Sequence, residues 1–457
     1  IALSLVGSEM CIRDSFYIVV HRNCTTGSIM SETREIVSVI TCDLEGRIET
    51  FNPNAEKLFG YSADEVIGKK RVSLFSPGMV VLGHVANWLD KAKANKDGYS
   101  TKTTFVRKNG EQFAASFKIT ATIIKGKHVG YCGRTRELKG VSPEETMPNT
   151  SILTKFISIV AITRLPFLSA TWIPIIAAVI WGLNADLFEM NWATFALVFL
   201  GGSFLHLAAN TYNDYFDWTS GTDQLNNDYF LQLSGGSRAI ELGLITEKKL
   251  FQLATIFLAL AGILGLGIMA SLGDDYIGLL YYGLAGAFSA YFYTGTPLRL
   301  VARKGLGELL IGLNYGPLMT MGTVYAMTGT HSWDAFMFGI PLGLLTTAIL
   351  WINQFPDRAS DKLAGKNHLV VVLGLERASW GYLILMISAF TSLYILHFYG
   401  IVTDGALLGL LAAPFALYLS YYVMNNYDRR ELALSNWGTI GIHSFCGILM
   451  ILGIQYW

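Results

Sequence analysis

The sequence predicts a two-part protein: a soluble α+β domain, followed by an all-α polytopic membrane bundle of about nine transmembrane helices. The chain has 457 residues, of which 52% are hydrophobic and only 15% are charged, and its mean hydropathy is +0.41. That balance is unusual for a soluble protein. Charged residues are frequent up to about Gly140 and sparse from Ile152 onward. A formal net charge of zero without a dense basic run indicates no nucleic-acid partner.

Residues 1–29 are expected to be a non-native leader, and we leave them out of the fold prediction. Glu9, Arg13 and Asp14 interrupt any apolar core that a signal peptide would need, and Met30 is a plausible start. The five cysteines and eight histidines form no CxxC, HxxxH or HExxH spacing. We therefore expect free thiols in a reducing compartment and no structural zinc site.

Residues 30–138 show the alternation of apolar and polar residues that is typical of strands, with turns between them. The turns are predicted at Glu45-Gly46, Asn109-Gly110 and Lys125-Gly126. Ser62 with Glu65 three residues later forms a capping-box pattern, which predicts the start of a short helix. The segment thus combines several strands with short helices.

This soluble segment resembles a PAS domain over about a hundred residues. The resemblance lies in Asp43-x-x-Gly46-x-Ile48, in Asn52-x-x-Ala55-x-x-x-Phe59-Gly60-Tyr61 and in the hairpin "RKNGEQF". It implies a sensor or dimerising module built on a five-stranded antiparallel sheet, and hence a possible PAS-mediated dimer. The identity of the PAS ligand stays open. No flavin-type cysteine motif is visible, and His84 and His128 form no evident haem motif. Residues 139–152 are predicted to be a linker.

Residues 153–457 contain apolar runs close to the ~20 residues that span a bilayer. The nine runs lie at 156–183, 192–212, 250–271, 276–294, 307–328, 335–355, 378–398, 405–424 and 438–456. Lys and Arg are confined to alternate connections, after the second, fourth, sixth and eighth runs. The positive-inside rule then places those ends and the N-terminal domain in the cytoplasm, and the C-terminus outside. We expect a multi-pass protein of the cell (inner) membrane.

Two acidic motifs follow even-numbered runs and therefore emerge on the same side. Asn210, Asn213 or Asp214, and Asp217 recur at three- and four-residue steps in the second run. Such spacing places side chains on one helical face. Asn353, Asp357 and Asp361 recur at four-residue steps in the sixth run. The preference of Asp for turns and helix ends could explain a single Asp. Two sets of Asn and Asp side chains, each on one face of its helix and on the same side of the membrane, instead favour a functional site.

Oxygen-only ligands favour Mg²⁺, with Mn²⁺ possible, over zinc. The metal ligands would be Asp214, Asp217, Asp357 and Asp361. Mg²⁺ held by few carboxylates usually completes its shell with water and phosphate oxygens, so the substrate is expected to carry a diphosphate. Candidate groups for binding it are Ser237 and Arg238 in a Gly-rich loop, Lys362 and Lys366 beside the second motif, and Arg164 inside the first run. A solvated basic face remains the alternative for the lysines, and snorkelling to the interface for Arg164.

These motifs together resemble the UbiA superfamily of intramembrane aromatic prenyltransferases. The resemblance covers about 300 residues and rests on N-D-x-x-D-x-x-x-G-T-D (Asn213 to Asp223), S-G-G-S-R (Ser234 to Arg238), Y-T-G-T-P-L-R (Tyr293 to Arg299), G-L-G-E (Gly305 to Glu308) and D-x-x-x-D-x-x-A-G-K (Asp357 to Lys366). The pattern is most similar to the 1,4-dihydroxy-2-naphthoate prenyltransferase branch of menaquinone biosynthesis. After Lys366 that branch would carry Arg or Lys and then Thr, whereas this chain has Asn367-His368.

The resemblance implies Mg²⁺-dependent transfer of a polyprenyl group from an allylic polyprenyl diphosphate to an aromatic acceptor, in catalysis that uses the four aspartates. Asn210, Asn213, Asn353 and Tyr293 would contact substrate, and Asp223 would bind metal or shape its loop. Dihydroxynaphthoate is the expected acceptor, and 4-hydroxybenzoate, homogentisate or a similar ring is the alternative. A transporter for an anionic or divalent solute, or a membrane-anchored sensor, are the alternatives of another class.

Overall fold

The computed structural model describes residues 37–44, 46–76, 84–147, 156, 159–160, 162–225, 237, 239–240, 245–273, 277–429 and 432–456. The predicted leader 1–29 lies outside these residues. The chain divides into two compact units, Ile1–Ser151 and Ile152–Trp457. This division agrees with the predicted change from a charged to an apolar sequence.

The first unit contains a five-stranded antiparallel sheet in the order β2-β1-β5-β4-β3. Its strands are β1 (Val37–Asp43), β2 (Ile48–Phe51), β3 (Tyr99–Val106), β4 (Gln112–Ile124) and β5 (Lys127–Glu137). Lys125 and Gly126, between β4 and β5, both have positive φ, of 50° and 77°. Two such residues in succession fit the type I′ turn that the twist of a hairpin favours. The predicted sheet and this hairpin are confirmed.

The helices of this unit are α1 (Pro53–Phe59), α2 (Ala63–Val66), α3 (His84–Ala94) and α4 (Pro143–Thr146), with a 3₁₀ turn at Val72–Phe75. The predicted capping box at the start of α2 is present, and the Ser62 N–H donates to Glu65 Oε2 at 2.9 Å. The core beneath α1 is rich in aromatic side chains, and the ring centroids of Phe59 and Phe75 lie 4.2 Å apart within it.

Helix α4 lies inside the segment that the sequence predicts as a linker. Its start is fixed by a second capping box, formed by Ser142 and Glu145. The Thr104 hydroxyl of β3 donates to the Pro143 carbonyl at 2.6 Å. Residues 142–147 therefore pack against the sheet and belong to the first domain.

The regular secondary structure of the second unit is helical in the described residues, apart from an isolated bridge between Arg303 and Asn367. Its helices are α5 (Ser169–Asn184), α6 (Trp192–Thr219), α7 (Thr222–Leu225), α8 (Glu247–Leu272), α9 (Ile277–Phe292), α10 (Leu306–Tyr315), α11 (Pro317–Thr328), α12 (Trp333–Phe338), α13 (Ile340–Leu363), α14 (Leu369–Leu373), α15 (Leu375–Phe398), α16 (Ala413–Asn426) and α17 (Ala433–Tyr456). Short 3₁₀ turns lie at Leu165–Leu168, Leu300–Ala302 and Asp404–Ala412.

Seven helical segments in the described part of the chain are long and apolar enough to cross a bilayer. The fourth predicted run corresponds to the shorter α9, of 16 residues. The fifth run is broken between α10 and α11, because Gly316 packs against the backbone of another helix. A Cβ there would lie 2.4 Å from the Gly339 oxygen, and Pro317 starts a new helix. Each predicted run contains helix among its described residues, and the count of nine spans remains a prediction.

The largest core cluster of this unit lies where α5, α13, α15 and α17 meet, around the fully buried Leu342, Ile352, Tyr382 and Met386. Helix α8 differs sharply, since two of its large aliphatic side chains, Ile263 and Leu266, are more than 60% exposed. Apolar side chains are stable on such a surface only if lipid covers it. The chain is a multi-pass membrane protein.

Candidate active site

The second halves of α6 and α13 bring the two predicted acidic motifs into the same buried region. Asp214 and Asp217 of α6, and Asp357 and Asp361 of α13, are each at most 7% exposed. The three- and four-residue spacing within each helix turns each pair toward one face, as predicted. Four carboxylates at this depth need cationic or hydrogen-bonding partners, because burying an unpaired charge is strongly unfavourable.

Lys366 links the two motifs. Its Nζ lies 3.0 and 2.9 Å from the two carboxylate oxygens of Asp217, and 3.8 Å from Asp361 Oδ1. Burial opposes the charge of this ammonium, but Asp217 and Asp361 outweigh burial and raise the pKa of Lys366 above its ordinary value. A lysine cation thus lies between carboxylates of the two acidic motifs.

Asp214 is held by a different set of groups. Arg164 Nη2 donates to Asp214 Oδ1, and also reaches Asn213 Oδ1 at 3.4 Å. The backbone N–H of Ser237 donates to Asp214 Oδ2 at 3.1 Å. Arg164 has a left-handed backbone (φ 51°) just before the Leu165–Leu168 turn. The arginine therefore pairs inside the protein rather than snorkelling to the interface.

A cavity of about 730 Å³ opens beside these carboxylates. Its wall includes Asp217, Asp357, Asp361 and Lys366 at one end. The rest is largely apolar and runs between α8 and α9, where a Cβ added to Gly262, Gly265 or Gly283 would meet nothing within 4 Å. A charged end joined to an apolar slot suits a ligand with an anionic head and a long hydrocarbon tail.

Most of the predicted substrate-binding residues lie in the wall of this cavity. These are Arg164, Asn210, Asn213, Tyr293, Asn353 and Lys366. Within the wall, Asn210 Nδ2 donates to the Thr163 carbonyl at 3.5 Å, and Asn353 Oδ1 accepts from Asn436 at 2.7 Å. The sequence spacing thus found the polar end of the cavity.

Other predicted residues have different positions. Asp214, Asp223 and Ser237 are buried but do not line the cavity. Lys362 is exposed on the last turn of α13 and lies outside the cavity wall. The reason is geometric, since helical spacing turns residue 362 away from the face that carries Asp357 and Asp361. Arg238 lies outside the described residues.

Two residues of the site, Gln354 and His368, were not predicted as functional side chains, and Glu308 was predicted only as part of the G-L-G-E motif. Glu308 Oε1 accepts from the Leu369 N–H at 2.8 Å and from Gln354 Nε2 at 3.3 Å, so it ties α10 to the start of α14 and to α13. His368 Nε2 lies 2.9 Å from Asp361 Oδ2. The only sequence signal for His368 was the departure from Thr at this position.

No group of three or more His, Cys, Asp and Glu side chains converges on one point in the described ranges. Asp214, Asp217 and Asp361 instead pair with Arg164, Lys366 and His368, respectively. The donor set fits a hard divalent cation, because it offers carboxylate and amide oxygens and no thiolate.

Comparison with known proteins agrees with this architecture. The sequence model of the UbiA prenyltransferase family matches residues 167–440, more than half of the chain. The chain belongs to the UbiA prenyltransferase family. A PAS-domain model matches residues 36–133 of this UbiA-family chain. The predicted family, the predicted enzyme class and the predicted PAS domain are confirmed.

Two curated relatives of this UbiA-family protein carry naphthoate-related names. The 2-carboxy-1,4-naphthoquinone phytyltransferase of Synechocystis sp. is 28% identical over 313 residues, which cover 67% of this chain and 95% of the relative. The 1,4-dihydroxy-2-naphthoate octaprenyltransferase of Escherichia coli is 28% identical over 261 residues, which cover 56% of this chain and 82% of the relative. A UbiA homologue from Archaeoglobus fulgidus, solved with DMAPP and Mg²⁺, is 14% identical and covers 64% of this chain and 99% of its own, with a TM-score of 0.45.

Proposed function

We propose that this protein transfers a polyprenyl group from an allylic polyprenyl diphosphate to an aromatic acceptor, with 1,4-dihydroxy-2-naphthoate as the acceptor of first choice. The observation that carries the proposal is the cavity, whose charged end bears carboxylates of two helices and whose remainder is apolar. The names of the curated relatives support the acceptor. The departure at Asn367-His368 leaves other electron-rich rings as the alternative.

Asp217, Asp357 and Asp361, with Asp214 behind them, would hold Mg²⁺ or Mn²⁺, which when bound neutralises the diphosphate as leaving group. Lys366 and Arg164 then donate to diphosphate oxygens as charge develops there. The bond between the allylic carbon and the diphosphate oxygen breaks, and the diphosphate leaves with the electron pair. A ring carbon of the acceptor attacks the allylic carbon within the cavity, whose apolar walls exclude water. The same ring carbon then loses its proton to the released diphosphate, and the ring becomes aromatic again.

The test is product identification by mass spectrometry. Purified full-length protein receives Mg²⁺, polyprenyl diphosphates of several lengths and dihydroxynaphthoate, 4-hydroxybenzoate or homogentisate in turn. We expect a prenylated product of dihydroxynaphthoate that Asp217→Asn abolishes and Asp404→Asn leaves intact, because Asp404 is exposed and is not part of the cavity wall. Absence of product with every acceptor would reject the prenyltransferase function and favour a transporter or sensor.

We further infer that the PAS domain regulates the transferase and can dimerise, and that the metal end of the cavity faces the cytoplasm. The single chain that joins a PAS domain to an enzyme supports regulation, and the alternating Lys and Arg connections support the orientation. If the rate of product formation by the full-length protein responds to redox state, a truncated protein that starts at Met147 should lose that response. An equal response in both chains would refute regulation.

A further inference from the structure

His368 is completely buried (0% exposed) and lies between α13 and α14. It is the N-cap of α14, because the Val371 N–H donates to its Nδ1 at 3.3 Å. Its other nitrogen, Nε2, lies 2.9 Å from Asp361 Oδ2. Both ring nitrogens are therefore engaged, one with the backbone and one with the second acidic motif.

These two contacts fix where the proton of the imidazole lies. A nitrogen that accepts a hydrogen bond must present a lone pair, so Nδ1 carries no proton. The proton is then on Nε2, which donates to Asp361 Oδ2. The backbone N–H at the start of α14 thus selects the tautomer in which the ring can orient a carboxylate.

The second oxygen of Asp361 is in a different position. Asp361 Oδ1 lies 3.8 Å from Lys366 Nζ, which is beyond hydrogen-bond distance. With Oδ2 bound to a rigid, fully buried ring, the carboxylate cannot rotate freely about its last bond. Oδ1 is then the oxygen that stays directed toward the gap between α6 and α13.

We propose that His368 is a positioning residue for Asp361: it holds Oδ2 so that Oδ1 is presented to the divalent cation. This inference rests on the proposed function. In it His368 acts through Asp361, because both of its ring nitrogens are engaged by protein groups. Groups that orient a metal-binding side chain in this way typically contribute about 10–100-fold to metal affinity or activity. The same ring also caps α14, so its two roles must be separated.

Threonine separates them, because its hydroxyl can cap a helix but does not reach Asp361 as an imidazole does. The experiment measures Mn²⁺ binding to the full-length protein without substrate, from the decrease in the electron paramagnetic resonance signal of free Mn²⁺. Thermal unfolding in EDTA is measured in parallel. The variants are His368→Thr and His368→Ala. Ser332→Ala is the control for a cap on another helix, because the wild-type Ser332 hydroxyl accepts from the Ala335 N–H at 3.1 Å.

We expect His368→Thr and His368→Ala to weaken Mn²⁺ binding by at least ~10-fold each, while Thr restores most of the thermal stability that Ala loses. Ser332→Ala should lower stability and leave Mn²⁺ binding unchanged. In turnover, His368→Thr should raise the Mg²⁺ concentration for half-maximal rate and leave kcat at saturating Mg²⁺ within a few-fold. Wild-type Mn²⁺ affinity in His368→Thr would overturn the positioning role and leave only the cap. A wild-type chain that binds no Mn²⁺ would instead count against the metal site itself.

Discussion

Replacing Lys366 by methionine removes the ammonium between the two acidic motifs and keeps the length of the side chain. In the wild type, Nζ contacts both oxygens of Asp217 at 2.9–3.0 Å and lies 3.8 Å from Asp361. Asp217 is 5% exposed and Asp361 4%. The variant would therefore leave buried carboxylates without their lysine.

The magnitude follows from this burial. Breaking a buried ion pair by removing one partner costs about 3–5 kcal/mol, because the remaining charge is uncompensated. For a helical unit of about 300 residues, that corresponds to a decrease in Tm on the order of 5 °C. A divalent cation can replace the lost charge, so Mg²⁺ should narrow the difference in Tm between Lys366→Met and the wild type.

The assay is thermal unfolding of detergent-solubilised protein in EDTA and in Mg²⁺. Lys362→Met is the matched control, since Lys362 is exposed on the neighbouring turn and should unfold like the wild type in both buffers. Product formation by Lys366→Met should fall at least ~100-fold, because a donor to the departing diphosphate is lost. If Lys366→Met unfolds at the wild-type temperature in EDTA, the lysine does not compensate these carboxylates.

Three further predictions follow from the same structure. Arg164→Met should lower both stability and product formation, because the 3%-exposed Asp214 loses its guanidinium partner; unchanged turnover would contradict this. Gly265→Leu should raise KM for long polyprenyl diphosphates more than for short ones, because the leucine side chain fills the apolar part of the cavity. Gly441→Leu, on an exposed face of α17, should leave both KM values unchanged. Equal effects of the two variants would show that the apolar part of the cavity does not bind the prenyl chain. Burial and Asp43 raise the pKa of the Cys42 thiol from 9.0 to about 12. Below pH 9 the neutral thiol therefore contributes its full stabilisation of the PAS domain, and this contribution falls by about 1 kcal/mol per pH unit as the pH rises from 9 to 12. An equally steep alkaline decline in the stability of Cys42→Ala would contradict this.

The sequence was sufficient for the elements whose signal is local. Strand alternation and Gly turns predicted the sheet of the PAS domain, and the four-residue spacing in α13 predicted that Asp357 and Asp361 share a buried face. Gly316 shows the limit of such signals. The fifth apolar run reads as continuous, and it breaks because Gly316 lies against Gly339 and Gly343, which are distant in sequence.

The choice between Lys362 and Lys366 shows the same limit within the site. Both lysines follow the second acidic motif, and their sequence context does not separate them. Gly365 takes a left-handed conformation (φ 70°) directly after α13 and redirects the chain. The next residue, Lys366, thereby reaches Asp217, which lies 149 positions away in the sequence. His368 was missed for a related reason, because its partner Asp361 becomes evident only once this turn is formed.

The central claim is that carboxylates of α6 and α13 act together on a metal-bound diphosphate. The most direct measurement is the Mg²⁺ dependence of prenylated product formation by the wild type, Asp217→Asn and Asp361→Asn at saturating polyprenyl diphosphate and acceptor. We predict that EDTA abolishes the wild-type product, and that either variant loses at least ~100-fold in rate while remaining folded. Product formation that persists in EDTA, or wild-type rates in both variants, would contradict the claim.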